Sequence, residues 1–315
     1  MTVIDGLAEE LAALGGVKVE RDVPMARFTT YRLGGPAQIV AEVTEESSAV
    51  AIGHLLRDKG VPVLALGRGS NLVVSDRGFP GVVLRLGGRF SSIETVGEFG
   101  LRAGAAATMP QLANRAARLA LTGVEWMIAI PGSVGGAIRM NAGAHGSDTA
   151  TSLSAARILS LRTGVVQELS PSRLDMTYRH TSVADTDLVL SAHFELTTAP
   201  IEDIRSRMEA HRRHRAETQP GALQNAGSVF KNPQGDSAGR LVEATGLKGF
   251  RVGGASVSDL HANFFISSDA ATAQDVFDLV RTVRYRVYED HGVILVPEIR
   301  FVGEFEGVLD EVPVP

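Results

Sequence analysis

Residues 129–143 constrain this chain more than any other segment. They read Ala-Ile-Pro-Gly-Ser-Val-Gly-Gly-Ala-Ile-Arg-Met-Asn-Ala-Gly. Glycine is costly to order, so a run this rich in it is kept where backbone turns left-handed or approaches another group closely. Consecutive main-chain N–H groups in such a turn form a concave nest that suits an anion, phosphate above all. The spacing of Gly132, Gly135 and Gly136 matches neither the P-loop nor the G-x-G-x-x-G dinucleotide fingerprint. A phosphate cradle is therefore expected without the common nucleotide folds. A second glycine loop, Gly67-Arg68-Gly69-Ser70-Asn71, follows residues 61–66, which read as a buried strand. Backbone amides, small polar side chains and one Arg at a strand end suit the other half of a diphosphate. Each loop alone is more simply a tight turn; two in one chain favour the diphosphate.

The 315 residues are enough for two or three domains. A net charge of −5 argues against a general nucleic-acid binder. The one basic stretch, with Arg205, Arg207, Arg212, Arg213 and Arg215, reads as the solvated face of a helix. With no cysteine, disulfides, thiolate metal sites and Cys nucleophiles are excluded, and no metal site is expected. No signal-peptide pattern and no bilayer-length apolar run appear, so a cytoplasmic location without membrane insertion is the expectation.

Periodicity predicts a helix within residues 1–20, with Ile4, Leu7, Leu11 and Leu14 on one face and Gly15-Gly16 ending it. A helix over 44–60 and short strands over 78–105 follow. Thr108 and Pro110 open another helix, which Gly123 closes. Residues 153–169 read as a hairpin about Thr163-Gly164, and 188–196 as a strand. Helices are expected over 201–218 and 272–290. The second has Val276, Val280, Val283 and Val287 inward and a capping box from Thr272 to Asp275. Residues 293–296 read as a strand. The irregular alternation points to α+β domains rather than one doubly wound sheet.

Three further segments carry chemistry: Tyr178-Arg179-His180, then Ala226-Gly227-Ser228-Val229-Phe230-Lys231-Asn232-Pro233, then Pro297-Glu298-Ile299-Arg300. Ser228, Lys231 and Asn232 offer a hydroxyl, a cation and an amide within five residues. No second glycine makes Ser228 a nucleophile elbow, and its S-x-x-K spacing to Lys231 lacks a companion S-D-N. Taken singly, Ser228 is a turn residue, and Arg179 and Glu298 are surface charges.

Taken together and in order, the segments resemble the MurB family, the UDP-N-acetylenolpyruvoylglucosamine reductases. The matching pieces begin with Thr30-Tyr31-Arg32-Leu33-Gly34-Gly35-Pro36-Ala37 and Gly67-Arg68-Gly69-Ser70-Asn71-Leu72. Ile130-Pro131-Gly132-Ser133-Val134-Gly135-Gly136-Ala137, Asn141-Ala142-Gly143 and Tyr178-Arg179 come next. Residues 226–233, Gly253-Gly254-Ala255, His261-Ala262-Asn263-Phe264 and Glu298 complete the match, which spans residues 28–301. No single piece would suffice.

The resemblance implies an α+β fold. Its FAD-binding region, of the para-cresol methylhydroxylase type, has two subdomains, here 21–86 and 87–199. A substrate-binding domain over 200–302 follows, with an N-terminal helix before them (1–20) and a tail after (303–315). FAD is bound non-covalently, its diphosphate on the glycine loops. The cofactor residues it implies are Tyr31, Arg32, Gly67, Arg68, Gly69, Ser70, Asn71, Leu72, Ile130, Pro131, Gly132, Ser133, Gly135, Gly136, Ala137, Asn141 and Gly143. NADPH is the reductant and UDP-N-acetylglucosamine enolpyruvate the substrate, reduced to UDP-N-acetylmuramate for peptidoglycan. Arg179 and Glu298 are implied at the substrate carboxylate, with Glu298 protonated or hydrogen-bonded there; Ser228 is the implied proton donor. By weaker analogy Lys231 and Asn232 face the substrate's diphosphate or sugar. Thr181 and His145 depart from the usual family residues. No Tyr lies between Arg179 and Tyr285, so the chain resembles the shorter form without a substrate-covering Tyr loop. Two alternatives stand beside this reading. One is another flavin oxidase or dehydrogenase on the same cofactor fold; the other is a non-catalytic binding protein, disfavoured because Arg179, Ser228 and Glu298 are all present.

Overall fold

A computed structural model describes residues 3–221 and 223–309. Of the expected terminal segments, residues 1–2 and 310–315 lie outside the described residues. The fold is α+β and divides into two compact units, each discontinuous in sequence. The first comprises the N-terminal residues through Asp22, Gln38–Arg68 and Gly81–His214. The second comprises Val23–Ala37, Gly69–Pro80 and the described residues from Arg215 onward.

The first unit is built on two sheets. One has the strand order Val17–Pro24, Pro36–Val43, Phe79–Leu86, Val63–Leu66, the last two parallel with Val63 opposite Val82. The helices Val3–Ala12 and Glu46–Leu56 arise where expected and bury Leu7, Leu11 and Ile52 with Ile39 and Leu84 of the sheet. The first strand was not foreseen, because Lys18 and the charges from Glu20 to Asp22 mask its alternation. The other sheet is antiparallel, in the order Val166–Leu169, Leu153–Ser160, Asp187–Glu195, Gly100–Gly104, Ile93–Val96. It carries a separate core that includes Leu101, Met109, Trp126, Ile138 and Phe194.

The helix Met109–Arg118 begins as its sequence dictates, with Thr108 and Gln111 capping each other's main chain and Pro110 in the first turn. It does not run to Gly123. Ala120 takes a left-handed φ of 53°, and Leu121-Thr122 leaves to pair with Thr197-Thr198.

The basic helix Ile201–Thr218 is held to this unit by Ile204 and Met208, both buried. The sequence reading of its arginines as a solvated face fails for Arg207, which donates to the buried Glu125 carboxylate at 2.7 and 3.0 Å. Burial alone would raise the Glu125 pKa. The Thr122 hydroxyl, the Gly123 N–H and Arg207 outweigh it and hold the carboxyl below its usual range.

The same helix meets a hairpin tip. His145 sits between Gly143-Ala144 and Ser147-Asp148 with a left-handed φ of 54°. Its ring stacks on His211 at 4.1 Å between centroids and meets His214 edge-on at 5.3 Å.

In the second unit, Val276, Val280, Val283 and Val287 all face inward from the helix Ala273–His291, as their spacing predicts. Thr272 and Asp275 form the expected capping box, and the Asp76 carboxylate accepts the N–H groups of Ala273 and Gln274. Anions at a helix start are stabilising there, which ties segment 69–80 to this helix. Tyr31, Val229, Phe230, Phe265 and Leu241 share the core. A three-stranded antiparallel sheet (Arg251–Val252, Ala255–Val257, Phe265–Ser267) and one parallel pair (Leu72–Val74 with Arg300–Val302) complete it.

Residues 293–296 form no strand. Pro297 has no N–H to give, and the segment passes residues 229–231 with a single isolated bridge, Phe230 to Pro297. Regular pairing starts only at Arg300.

The histidine stack makes a pH dependence testable. Burial first, then neighbouring histidine charge, holds the His145 and His211 imidazoles below their usual pKa; Glu125 acts in the opposite sense on His211, and Arg207 in the same sense. The unfolded chain therefore binds more protons below about pH 6.5, and stability falls as pH drops through that window. Thermal unfolding between pH 7 and 5 should show this loss. His145→Asn keeps a residue that tolerates the left-handed φ and should flatten the dependence; an unchanged slope would contradict the assignment.

Candidate functional site

In the first unit the two glycine loops meet. The second half of segment 129–143, expected as an open nest, is a short helix, Val134–Met140, capped by the Ser133 hydroxyl accepting the Gly136 N–H at 3.2 Å. The Val134 and Gly135 N–H groups go to the carbonyls of Ala107 and Ala105, and Gly132 O accepts from Met109 N. Those amides are spent within the protein. Gly135 must be glycine because a Cβ there would lie 2.9 Å from Ala105 Cβ. At Gly67 a Cβ would lie 2.5 Å from Ser133 Oγ and would push the capping hydroxyl out of place. Ser133 is thus the point at which the two loops touch.

This arrangement fits the expected cofactor. Gly67, Arg68, Pro131 and Gly136 are exposed around the buried Ser133, and the two glycines have no side chain to screen their main chain from a diphosphate. Ile130, Gly132 and Ala137 belong to the same turn and helix start.

Further along, Asn141 ends the short helix with a left-handed φ of 41°. Its side chain is fully committed: the amide donates to Asp148 and to Thr177 O, and the carbonyl accepts from Ala150 N. What Asn141 offers outward is its main chain. That carbonyl, with Gly143 O, receives the guanidinium of Arg179, at 3.5 and 2.6 Å. Arg179 and Tyr178 occupy the centre of a turn closed by two Thr177–His180 bonds, with φ of 51° at Arg179 and its guanidinium 5.2 Å from the Tyr178 ring centre. A half-buried cation is thereby fixed beside the glycine segment.

The other expected residues lie in the second unit. The chain passes into it between Arg68 and Gly69. Gly69 O accepts from Thr30 N, Ser70 is half-buried, and Leu72 opens the strand that pairs with Arg300. Arg32 is exposed with a φ of 54°. Tyr31 is fully buried; its hydroxyl donates to Phe265 O at 3.0 Å, and burial pushes its pKa up. Its ring serves the core of this unit.

Ser228 and Glu298 are brought together through main chain. Val229 O accepts the Glu298 N–H at 2.7 Å, and Ser228 is the residue before Val229. Ser228 itself bridges to Phe264. The Asn71 amide donates to Glu298 O at 3.0 Å, and Asn71 O accepts from Arg300 N. Lys231 is half-buried, with its N–H on Val296 O. Asn232 uses its side-chain carbonyl to receive the Ala238 N–H.

Sequence reasoning did not assign a role to Asn263, although it lies in the His261-Ala262-Asn263-Phe264 piece. Asn263 is buried and pairs with Phe230 through both ends of its amide, at 2.9 and 2.8 Å. A lone Asn between apolar residues was the available signal. Among the described residues no group of His, Cys, Asp and Glu is placed to hold a metal ion, and no helix is long and apolar enough to cross a membrane.

Comparison with known proteins gives these features a common origin. Residues 37–170 match the FAD binding domain family, and residues 219–302 match the UDP-N-acetylenolpyruvoylglucosamine reductase C-terminal domain. The chain is 43% identical to UDP-N-acetylenolpyruvoylglucosamine reductase of Parasynechococcus marenigrum, covering 90% of this chain and 95% of that one. It is 42% identical to UDP-N-acetylenolpyruvoylglucosamine reductase 2 of Symbiobacterium thermophilum, covering 91% and 92%. The crystal structure of UDP-N-acetylenolpyruvylglucosamine reductase (MurB) from Thermus caldophilus superimposes with a TM-score of 0.79 at 36% identity, covering 91% of this chain and all of that one. The chain belongs to the UDP-N-acetylenolpyruvoylglucosamine reductase family.

Proposed function

We propose that this protein is the FAD-dependent enzyme that uses NADPH to reduce the enolpyruvyl group of UDP-N-acetylglucosamine enolpyruvate to UDP-N-acetylmuramate. On this reading it works in the cytoplasm, in the supply of peptidoglycan precursors. The observation that carries the reading is the placement of Ser228 and Glu298 on adjoining main chain, linked through Val229. Residues 21–86 and 87–199, each built around one of the two sheets of the first unit, are read as the two cofactor subdomains, and residues 200–302 as the substrate domain.

When bound, FAD supplies the hydride that reaches C3 of the enolpyruvyl group. The residues of the chain do the rest. Charge pushed through C2 into the substrate carboxylate calls for preorganised hydrogen-bond donors and cations. Arg179 has a planar guanidinium suited to bidentate carboxylate recognition. Its anchorage on Asn141 O and Gly143 O, and its position in a closed turn, limit the motion that would blur such recognition. Glu298, as the acid, would donate a hydrogen bond to the developing charge. The Ser228 hydroxyl would hand its proton to C2; a weak acid suffices because the carbon it meets is a strong base. Lys231 is read as a contact to the substrate's diphosphate or sugar. Asn232, whose side-chain carbonyl receives Ala238 N, is read as a further contact to the diphosphate or sugar. Gly67, Gly136 and the Ser133 hydroxyl, which accepts Gly136 N and keeps its own proton to give, would line the cofactor's diphosphate, and Arg68 would add charge.

The direct test is the visible absorption of the purified protein. A yellow protein that bleaches with NADPH without air, and regains colour on adding the enolpyruvyl sugar, supports the reading. Return of colour with oxygen alone would favour an oxidase on the same fold. Ser228→Ala should slow that recolouring by roughly a hundredfold or more, the range for losing a general acid, while bleaching by NADPH persists. Arg179→Lys should raise KM for the enolpyruvyl sugar and lower kcat, since a point charge does not replace the planar fork. Gly67→Ala should drive a methyl group into the Ser133 hydroxyl and lower FAD affinity about tenfold or more, read by quenching of flavin fluorescence on titration.

A further inference from the structure

We infer that Asn71 and Asn263 form a clamp that sets the positions of Glu298 and Ser228 for the protonation step, so that both are positioning residues for this reaction. The inference rests on the roles proposed above for Ser228 and Glu298.

The clamp consists of hydrogen bonds to the main chain of two short runs, three of them made by the Asn71 and Asn263 side chains. Glu298 is held on its N–H side by Val229 O at 2.7 Å and on its carbonyl side by the Asn71 amide at 3.0 Å. The main-chain carbonyl of Asn71 also accepts Arg300 N, at 3.0 Å. One asparagine thus brackets the segment Glu298-Ile299-Arg300 from both ends. On the opposite side, Asn263 O accepts Val229 N at 2.8 Å. Its side-chain carbonyl accepts Phe230 N at 2.9 Å, and its amide donates to Phe230 O at 2.8 Å. Val229 and Phe230 are therefore gripped by Asn263 on one side and by residues 296–298 on the other, with Ser228 at the edge of the grip.

Asparagine is suited to this because its amide carries a donor and an acceptor at the separation of a peptide unit, so it completes a ladder where no strand is present. No regular strand covers residues 228–231 or 293–298, so the two amides supply ordering that sheet pairing does not. Proton transfer to carbon tolerates little displacement of the donor, and an error near 1 Å costs about a hundredfold. The side chain of Asn71, expected from sequence to serve the cofactor loop, gives an amide hydrogen to the main chain of the acid.

The test follows the two half-reactions of the FAD-loaded protein by anaerobic stopped flow: bleaching by NADPH, and recolouring by UDP-N-acetylglucosamine enolpyruvate. Asn71→Ala should slow recolouring about tenfold more than it slows bleaching, with an unfolding midpoint close to that of the parent. Added to Glu298→Gln, the same change should cost less than about twofold, because a residue acting through Glu298 loses its effect once that acid is gone. Asn263→Ser, which gives up the paired amide, should show the same selective loss; if it folds poorly, the Asn71 variants decide. Equal slowing of both half-reactions, or full additivity with Glu298→Gln, overturns the clamp. If Ser228→Ala and Glu298→Gln themselves recolour at the parental rate, the underlying roles fail and the clamp falls with them, a result distinct from additivity.

Discussion

A glycine-rich segment has no side chains with which to hold itself, so its main chain must be sewn to something else. That constraint organises the first unit. Residues 132–135 are stitched to residues 105–109 by alternating N–H and carbonyl groups, and Gly135 is bare so that Ala105 can approach. Ser133 then caps the short helix with its hydroxyl and fills the space that Gly67 leaves open. From this stitched base the chain continues to Asn141, whose committed side chain leaves a main-chain carbonyl to hold Arg179. Removing a side chain in one place thus fixes a charged one in another.

The second unit meets the same demand differently. Its functional run is not glycine-rich, yet it lacks regular strand pairing, and asparagine side chains stand in for the missing ladder. Buried polar groups are tolerated when they find hydrogen-bond partners, and the Asn263 amide finds one for each end in Phe230.

Much of this was legible in the sequence where the signal is local. Thr108 with Gln111 and Thr272 with Asp275 mark helix starts by capping chemistry that acts within four residues, and the valines of Ala273–His291 mark its inner face by spacing alone. The order of the motif pieces carried the family and the cofactor. What was not legible depends on distant partners. The helix after Thr108 stops early because Leu121-Thr122 pairs with Thr197-Thr198. Residues 293–296 have strand-like composition but lie beside residues 229–231 next to a proline. Arg207 looks like its solvated neighbours until Glu125, far away in sequence, is seen beside it. Asn71 likewise reads as part of the cofactor loop, and only the fold reveals that its amide reaches Glu298.

The discontinuity of the second unit has a consequence for how the protein comes into being. Tyr31 finds its hydrogen-bond acceptor at Phe265, and Leu72 finds its strand partner at Arg300. As the chain leaves the ribosome, segments 23–37 and 69–80 emerge early and wait for nearly all the remaining sequence. The first unit has its last residue at His214 and is free to consolidate sooner. Closing such long loops is entropically slow, so the apolar faces of Tyr31, Leu33 and Val73 stay uncovered through most of synthesis. Completion of the second unit is therefore a late event, and a chain ending before Arg300 would leave the strand Leu72–Val74 without its parallel partner.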